Sequence, residues 1–319
     1  MATNSTSTPT LALLAPGAMG AAIAGRLSSS GAGTILTNLD GRSETTIQRA
    51  HASNMQHASY AEIAERASYI YSIVPPQDAL AVAESIVSAY KTVGRRETPL
   101  VFVDCNAVNP ASMKRMAALF DGTGIILLDG VIIGTPPTAS YNPGIYVSAD
   151  SQNIAALDEF TRISNEFGLD VLPLKGEGAG IGDASALKMA HSGIVKGTIG
   201  LFTTMILGAP ANAASPSTAS GLVHALNRSQ PTLADLLIRF LPEVIPKAYR
   251  FVAEMGEVGG FTATSGAHSG ASTFEGLVQI FARVAEANSN PDADDSDLDV
   301  LLKFVEEAKE ARAAAKRQV

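Results

Sequence analysis

The chain has no tryptophan, a single cysteine and only 6% aromatic residues among its 319 positions. One cysteine, Cys105, excludes an intramolecular disulfide, and no Cys/His spacing reads as a metal site. With no base paired to it in the sequence, Cys105 reads as a small buried filler. Basic residues are also scarce: 23 Lys and Arg stand against 31 Asp and Glu, for a net charge of −8. Nucleic-acid binding as a main task needs a broad basic surface, which this balance does not supply. No apolar run approaches the ~18 residues of a membrane span. Residues 1–9 lack the basic start of a secretion signal. The expectation is a soluble, cytoplasmic protein with no membrane or nucleic-acid partner.

What is present is apolar substance. Hydrophobic residues make up 46% of the chain, enough for a sizeable core. Single cores stop growing near ~250–300 residues, so two domains are expected. The first half alternates short β-rich runs (11–14, 34–37, 69–74, 100–103, 125–128, 145–147 and 171–174) with helical stretches such as 21–29 and 80–90. That alternation implies a mostly parallel sheet covered on both faces. Beyond about Pro173 the pattern turns helical. Residues 180–207 read as one helix of roughly 40 Å at 1.5 Å per residue. A small-residue loop over 209–220 follows, then helices over 231–241, 242–256, 273–287 and 298–316. A glycine-rich bend is expected over 256–270 and an acidic loop over 288–297.

The run Leu11-Ala-Leu-Leu-Ala-Pro-Gly17-Ala18-Met19-Gly20 is a strand entering a glycine turn and then a helix. It fits the dinucleotide fingerprint with Ala15 at the first glycine position. Gly17 lets the backbone approach a pyrophosphate, and Gly20 lets the helix pack closely on the strand. The amides of Ala18 and Met19 then stand at a helix N-terminus, which favours anions. Asp40 lies twenty residues after Gly20, where an acid binds the ribose of NAD. Arg42 and Ser43 instead suit the 2′-phosphate of NADP, since guanidinium pairs bidentately with phosphate. Asn38 is the neutral residue nearest the strand tip, so the reading favours NADP. The third and fourth long strands end at Val74-Pro75 and at Asp104-Cys105-Asn106. Ligands in open α/β sheets lie beyond such ends, so Val74, Pro75 and Asn106 are placed beside nicotinamide and ribose.

The long helix carries Gly182-Asp-Ala-Ser185-Ala-Leu-Lys188-Met-Ala-His191-Ser192-Gly193. Ser185, Lys188 and Ser192 share one helical face, and His191 borders it. An ammonium in an apolar helix needs a partner or a task. With Ala15-Pro-Gly17-Ala18-Met19-Gly20 and Lys188-Met-Ala-His191-Ser192-Gly-Ile, the whole chain resembles the β-hydroxyacid dehydrogenase and 6-phosphogluconate dehydrogenase superfamily. The resemblance implies an α/β fold class: a doubly wound Rossmann domain over 1–176, a long connecting helix, and an all-helical substrate and dimerisation domain over 177–319.

It implies an oxidoreductase that transfers a hydride between NADP and a small hydroxy or oxo acid or related carbonyl compound. Lys188 would be the acid/base, and desolvation would ease its proton transfer. His191 and Asn106 would orient the substrate oxygen or the lysine, and Ser185 would bond substrate or ribose. The family's Ser-Gly-Gly substrate loop is replaced here by Leu128-Asp129-Gly130-Val131-Ile132-Ile133-Gly134-Thr135-Pro136-Pro137, in which Ile132 and Ile133 imply a more apolar pocket, shaped by Ile133, Gly134, Thr135 and Ser192. Val195 and Lys196 stand where phosphogluconate dehydrogenases carry a glutamate and a tyrosine, so decarboxylation of a sugar phosphate is not expected. Imine reductases of this architecture usually carry Asp or Tyr at the position of Lys188, which favours carbonyl chemistry. The alternatives are an imine reductase or a non-catalytic NADP-binding sensor. A homodimer through the helical domain is expected, with 249–257 as a candidate contact segment.

Overall fold

The computed structural model describes residues 8–94, 96–213, 215, 217–264, 268–290 and 297–317. Two compact units are present, Met1–Met189 and Ala190–Val319. The sequence reading set the division at 176, ahead of the long helix. The structure sets it inside that helix.

The first unit contains β1 (Leu11–Leu14), α1 (Ala18–Leu27), β2 (Ile35–Thr37), α2 (Glu44–Ala52), β3 (Met55–His57), α3 (Tyr60–Arg66), β4 (Tyr69–Ser72) and α4 (Ala79–Tyr90). It continues with β5 (Val101–Asp104), α5 (Pro110–Phe120), β6 (Ile126–Ile133), β7 (Gly144–Ser148), α6 (Ile154–Glu166), β8 (Asp170–Pro173) and the start of α7 (Asp183–Ala211). One eight-stranded sheet has the order β3-β2-β1-β4-β5-β6-β7-β8. All pairs are parallel except β6 with β7. The sheet is apolar on both faces, as parallel sheets under helices are. Leu11, Leu13, Tyr69, Tyr71 and Val103 point into one core with Ile23 and Phe160. Ala12, Leu14, Ile70 and Phe102 point into the other with Ile86 and Met113. β3 escaped the sequence reading because a three-residue strand with exposed Gln56 and His57 carries no periodic signal.

The second unit is all helical: the rest of α7, then α8 (Ser217–Ser229), α9 (Pro231–Val244), α10 (Ala248–Thr264), α11 (His268–Ser289) and α12 (Asp297–Arg317). The loop expected over 209–220 is shorter than the sequence suggested, because helix occupies both of its ends. The expected bend at 256–270 is helical through Gly256, Gly259 and Gly260 to Thr264. The acidic loop expected over 288–297 lies largely outside the described residues. Contrary to the sequence reading, α7 is long and apolar enough to cross a membrane by length and composition, with a mean hydropathy of 1.4 in its best window. About a third of that stretch is buried within the protein. A Cβ at Gly200 would stand 2.8 Å from Leu277 and 3.2 Å from Phe281, so glycine is what lets α11 come close.

The turn from β1 into α1 has one strained residue and one sterically required one. Ala15 has φ +64°, in the left-handed region. Gly20 leaves room that a Cβ would lose, at 2.5 Å from the Ala15 carbonyl oxygen and 2.8 Å from Leu13 Cδ2. Ala15→Gly is therefore expected to stabilise the protein by about 1 kcal/mol, the size of the left-handed penalty. Gly20→Ala is expected to destabilise it by about 3 kcal/mol through overpacking against backbone. Urea unfolding midpoints of the two variants check both signs.

Candidate functional site

The chain leaves β1 toward β2 and β3 on one side, and returns through β4 to β5 and β6 on the other. The neighbouring pair β1 and β4 is therefore the switch point of the sheet, where the carboxyl ends open a crevice for ligands. The glycine turn lies on one wall of it, with Gly17 and Ala18 exposed and Met19 half-buried. A Cβ at Gly17 would meet nothing within 4 Å, so the space over this backbone is open to a ligand. No side chain caps α1, and its first turn holds no acid. By contrast, α3 has a Ser59/Glu62 capping box and α5 is capped by Asn109. The start of α1 thus keeps the amides and the positive dipole end that a pyrophosphate needs.

At the tip of β2, Asn38 is buried. Its amide donates to Asp40 Oδ2 at 2.9 Å and to the Ala58 carbonyl, and its oxygen accepts from the Asp40 amide. Asn38 therefore braces the tip. His57 accepts from the Leu39 amide through Nδ1, and its Nε2 lies 3.6 Å from Asp40 Oδ1. Arg42 and Ser43 are exposed beyond the tip. Arg49 of α2, which the sequence reading did not single out, donates to the Pro16 carbonyl at 3.2 Å.

Across the carboxyl ends runs a row of residues in register: Leu14 beside Ser72, Ser72 beside Asp104, Asp104 beside Asp129, and Asp129 beside Ser148. Its four polar members are fully buried. Asn106 locks into this row. Its Oδ1 accepts from the Val74 amide at 2.6 Å, and its Nδ2 donates to Ser72 Oγ and Asp104 Oδ1. Both ends of the Asn106 amide are thus engaged within the sheet, where they hold the Val74–Pro75 loop. Ser185 is fully buried, and its hydroxyl donates to Asp129 Oδ1 at 2.8 Å.

Burial raises both acids, Asp104 to about 7 and Asp129 to about 6. Loss of solvation is the largest cause, and for Asp104 the neighbouring Asp129 charge adds to it. The Cys105 thiol is pushed well up by the same burial, which keeps it an inert filler. Sequence reasoning gave neither Asp104 nor Asp129 a task. The available signal was an acid directly after an apolar run in each case, Asp104 after Val101–Val103 and Asp129 after Ile126–Leu128.

Lys188 reaches this end of the sheet from α7. It is half-buried, and its Nζ donates to the Ile132 carbonyl at 2.6 Å. Ile133, Gly134 and Thr135, the expected substrate loop, begin at the next residue. Ile133 is half-buried and the other two are exposed. His191 and Ser192 belong to the second unit, the first exposed and the second buried. Lys196 pairs there with Glu254 and lies 4.6 Å from the Phe251 ring centre, a packing role within that unit. Among the described residues no cluster of His, Cys, Asp or Glu is arranged to hold a metal.

Residues 10–167 match the family described as the NAD binding domain of 6-phosphogluconate dehydrogenase. Over those residues the chain carries that NAD-binding domain. Residues 213–284 match a domain of unknown function (DUF1932). A search of curated proteins finds no match. Among solved structures, the chain is similar to a conserved protein of unknown function described as structurally similar to 3-hydroxyacid dehydrogenases. Identity is 22%, TM-score 0.62, with 89% of this chain and 100% of that one covered. It is similar to Mycobacterium tuberculosis 3-hydroxyisobutyrate dehydrogenase with L-serine at 15% identity and TM-score 0.58, covering 93% and 98% of the two chains. It is similar to an imine reductase from Myxococcus stipitatus in complex with NADP+ at 18% identity and TM-score 0.51, covering 93% and 100%. At these identities the likeness is one of fold: an NAD-binding α/β unit followed by helices.

The two raised acids give the NAD-binding unit a pH signature. Between about pH 4 and 7 the folded protein holds protons that the unfolded chain has released, so stability falls as pH rises through that window. Denaturation midpoints are expected to be higher at pH 5 than at pH 8, and Asp104→Asn is expected to flatten the profile. A wild-type profile flat across this range removes the buried-acid account.

Proposed function

We propose that the protein is an NADP-dependent oxidoreductase acting on a small hydroxy or oxo acid, or a related carbonyl compound, with Lys188 as the proton carrier. The observation that carries this reading is the Lys188 amine held at 2.6 Å from the Ile132 carbonyl, one residue before the Ile133–Thr135 loop. A lysine kept only for solubility would extend into water. This one is drawn back to the strand that carries the loop.

When bound, the nicotinamide supplies or accepts the hydride. The chain's own residues do the rest. Gly17 and the uncapped start of α1 take the pyrophosphate, while Asn106 fixes Val74 and Pro75 beside the ring and ribose. Lys188 gives a proton to a carbonyl oxygen in reduction, or takes one from a hydroxyl in oxidation. Ile133 gives the pocket an apolar wall. Preference for the 2′-phosphate is supported by Arg42 and Ser43 beyond β2, with Arg49 nearby against Pro16. It is supported too by Asp40, which is engaged by Asn38 and faces His57.

We also infer a homodimer through the helical unit. Ile194, Leu201 and Met205 lie at spacings of seven and four along α7, and they are 71%, 59% and 55% exposed. Three large apolar side chains on one helix face mark a surface that a second copy would cover.

The chemistry is tested by NADPH oxidation against a panel of 2- and 3-oxo acids, aldehydes and cyclic imines. Turnover with carbonyl compounds is expected. Lys188→Met should reduce kcat by about 10²–10⁴-fold, the usual worth of a positioned proton donor, with the NADPH Kd within twofold of wild type. Unchanged kcat removes Lys188 from the chemistry, imine-only turnover makes the protein an imine reductase, and no turnover with intact binding favours a sensor. Arg42→Ala should weaken NADPH about tenfold and leave NADH unaffected. Light scattering should give a dimer that Leu201→Lys dissociates, and a monomeric wild type sinks the dimer.

A further inference from the structure

The first turn of α7 cannot be capped by its own sequence. Gly182, which precedes the helix, has no side chain and takes φ +110°. The first amides of a helix have no partner within it, and buried they must find one elsewhere. Here the Asp183 amide turns back to the Gly180 carbonyl at 3.3 Å, and the amides of Gly182, Ala184 and Ser185 find theirs on the sheet. Asp129 Oδ2 accepts from the Gly182 amide at 2.9 Å and from the Ser185 amide at 3.1 Å. Asp129 Oδ1 accepts from the Ser185 hydroxyl at 2.8 Å. Ser148 Oγ, in the same row, accepts from the Ala184 amide at 3.1 Å and donates to Asp129 Oδ2 at 3.4 Å. A negative group at this end also favours the helix dipole.

These contacts fix both the height and the rotation of α7 against β6. Ser185 and Lys188 are three residues apart on one helical face. Asp129 and Ile132 are three residues apart on one strand. The helix is therefore gripped twice by the same strand, once through the Asp129 carboxylate and once through the bond from Lys188 to the Ile132 carbonyl. The second grip is a single bond from a long, flexible side chain. The first is three bonds from a fully buried acid.

We propose that Asp129 is the positioning residue for Lys188: as a cap supplied by the sheet, it sets the first turn of α7 so that the amine arrives at Ile132 and the loop behind it. The functional meaning of this rests on the acid/base role of Lys188 proposed above, but the positioning itself does not. Asp129→Asn separates position from charge. The amide oxygen can still accept from Gly182 and Ser185, and the amide nitrogen can donate to the Ser185 hydroxyl, so the grip survives while the charge is lost. Asp129→Ala loses both.

The test reads the amine directly, without substrate. Competitive acetic-anhydride labelling followed by mass spectrometry gives the reactivity of Lys188 in the full-length protein across pH. In Asp129→Ala the Lys188 rate is expected to depart from wild type at least threefold, with exposed Lys91 and Lys247 as unchanged internal references. In Asp129→Asn it should return to within about 1.5-fold of wild type. If Asp129→Ala does not fold, Ser185→Ala, which removes one of the three bonds, carries the test with an expected change of about twofold. An unchanged Lys188 rate in the folded Ala variant overturns the proposal, and so does an Asn variant as disturbed as the Ala variant. Should Lys188→Met keep its turnover while the labelling pattern holds, the acid/base reading fails and the positioning stands.

Discussion

Two carboxylates, Asp104 at the end of β5 and Asp129 within β6, lie side by side with no exposure to solvent. Burying such groups is costly unless donors surround them. Asp104 receives the Asn106 amide group and backbone, and Asp129 receives two backbone amides and two hydroxyls. Those donors come from the loops that matter: the segment after β5, the end of β7 and the start of α7. Through Asn106 the network also reaches the amide of Val74 after β4. Hydrophobic packing holds the two faces of the sheet without directional preference, so it cannot by itself orient the loops at the strand ends. The buried acids supply that direction.

The turn after β1 follows a different logic. There the structure withholds partners instead of supplying them. α3 and α5 satisfy their first amides with Ser59, Glu62 and Asn109. α1 starts at a glycine with no cap, although a hydroxyl or acid at position 17 would have stabilised it by a few tenths of a kcal/mol. Ala15 holds φ +64° where glycine would be relaxed. A helix start without a cap, behind a strained residue and beneath open space, is stable only in a fold whose remaining contacts over-determine it. Gly20 shows that over-determination, since no larger residue fits between α1 and β1.

Much of this was legible in the sequence, and the reasons differ by element. The strands were readable because parallel strands buried on both faces are continuous apolar runs. The glycine turn was readable because its steric needs leave few residue choices. Asn106 and Ser185 were legible as polar residues near the site but not in their roles. Which polar group each faces depends on strand register, and register between non-consecutive strands leaves no local mark. Their partners, Asp104 and Asp129, are 25 residues apart in the chain and adjacent only because β5 pairs with β6. The helical unit was the least legible. Gly256, Gly259 and Gly260 suggested a bend by propensity, yet they lie within α10. Gly259 lies where a Cβ would stand 3.6 Å from Phe274 of α11. Close packing between helices outweighs the roughly 1 kcal/mol that each glycine costs a helix.

The loop beyond Ile133 shows which part of a motif is fixed by shape and which is free. Gly134 has φ +134°, and a Cβ there would overlap the Tyr141 hydroxyl, so position 134 accepts only glycine. Tyr141 is in turn held by its neighbours. Arg26, in the last turn of α1, donates to the carbonyls of Thr138 at 2.6 Å and Tyr141 at 3.2 Å, and Asn142 donates to the Gly168 carbonyl at 3.1 Å. One guanidinium therefore ties the loop to the same helix whose other end faces the cofactor crevice. Ile133 and Thr135, on either side of the glycine, carry no such constraint in the backbone. The frame of the loop is thus set by Gly134, Tyr141 and Arg26, and the side chains of Ile133 and Thr135 are left out of it.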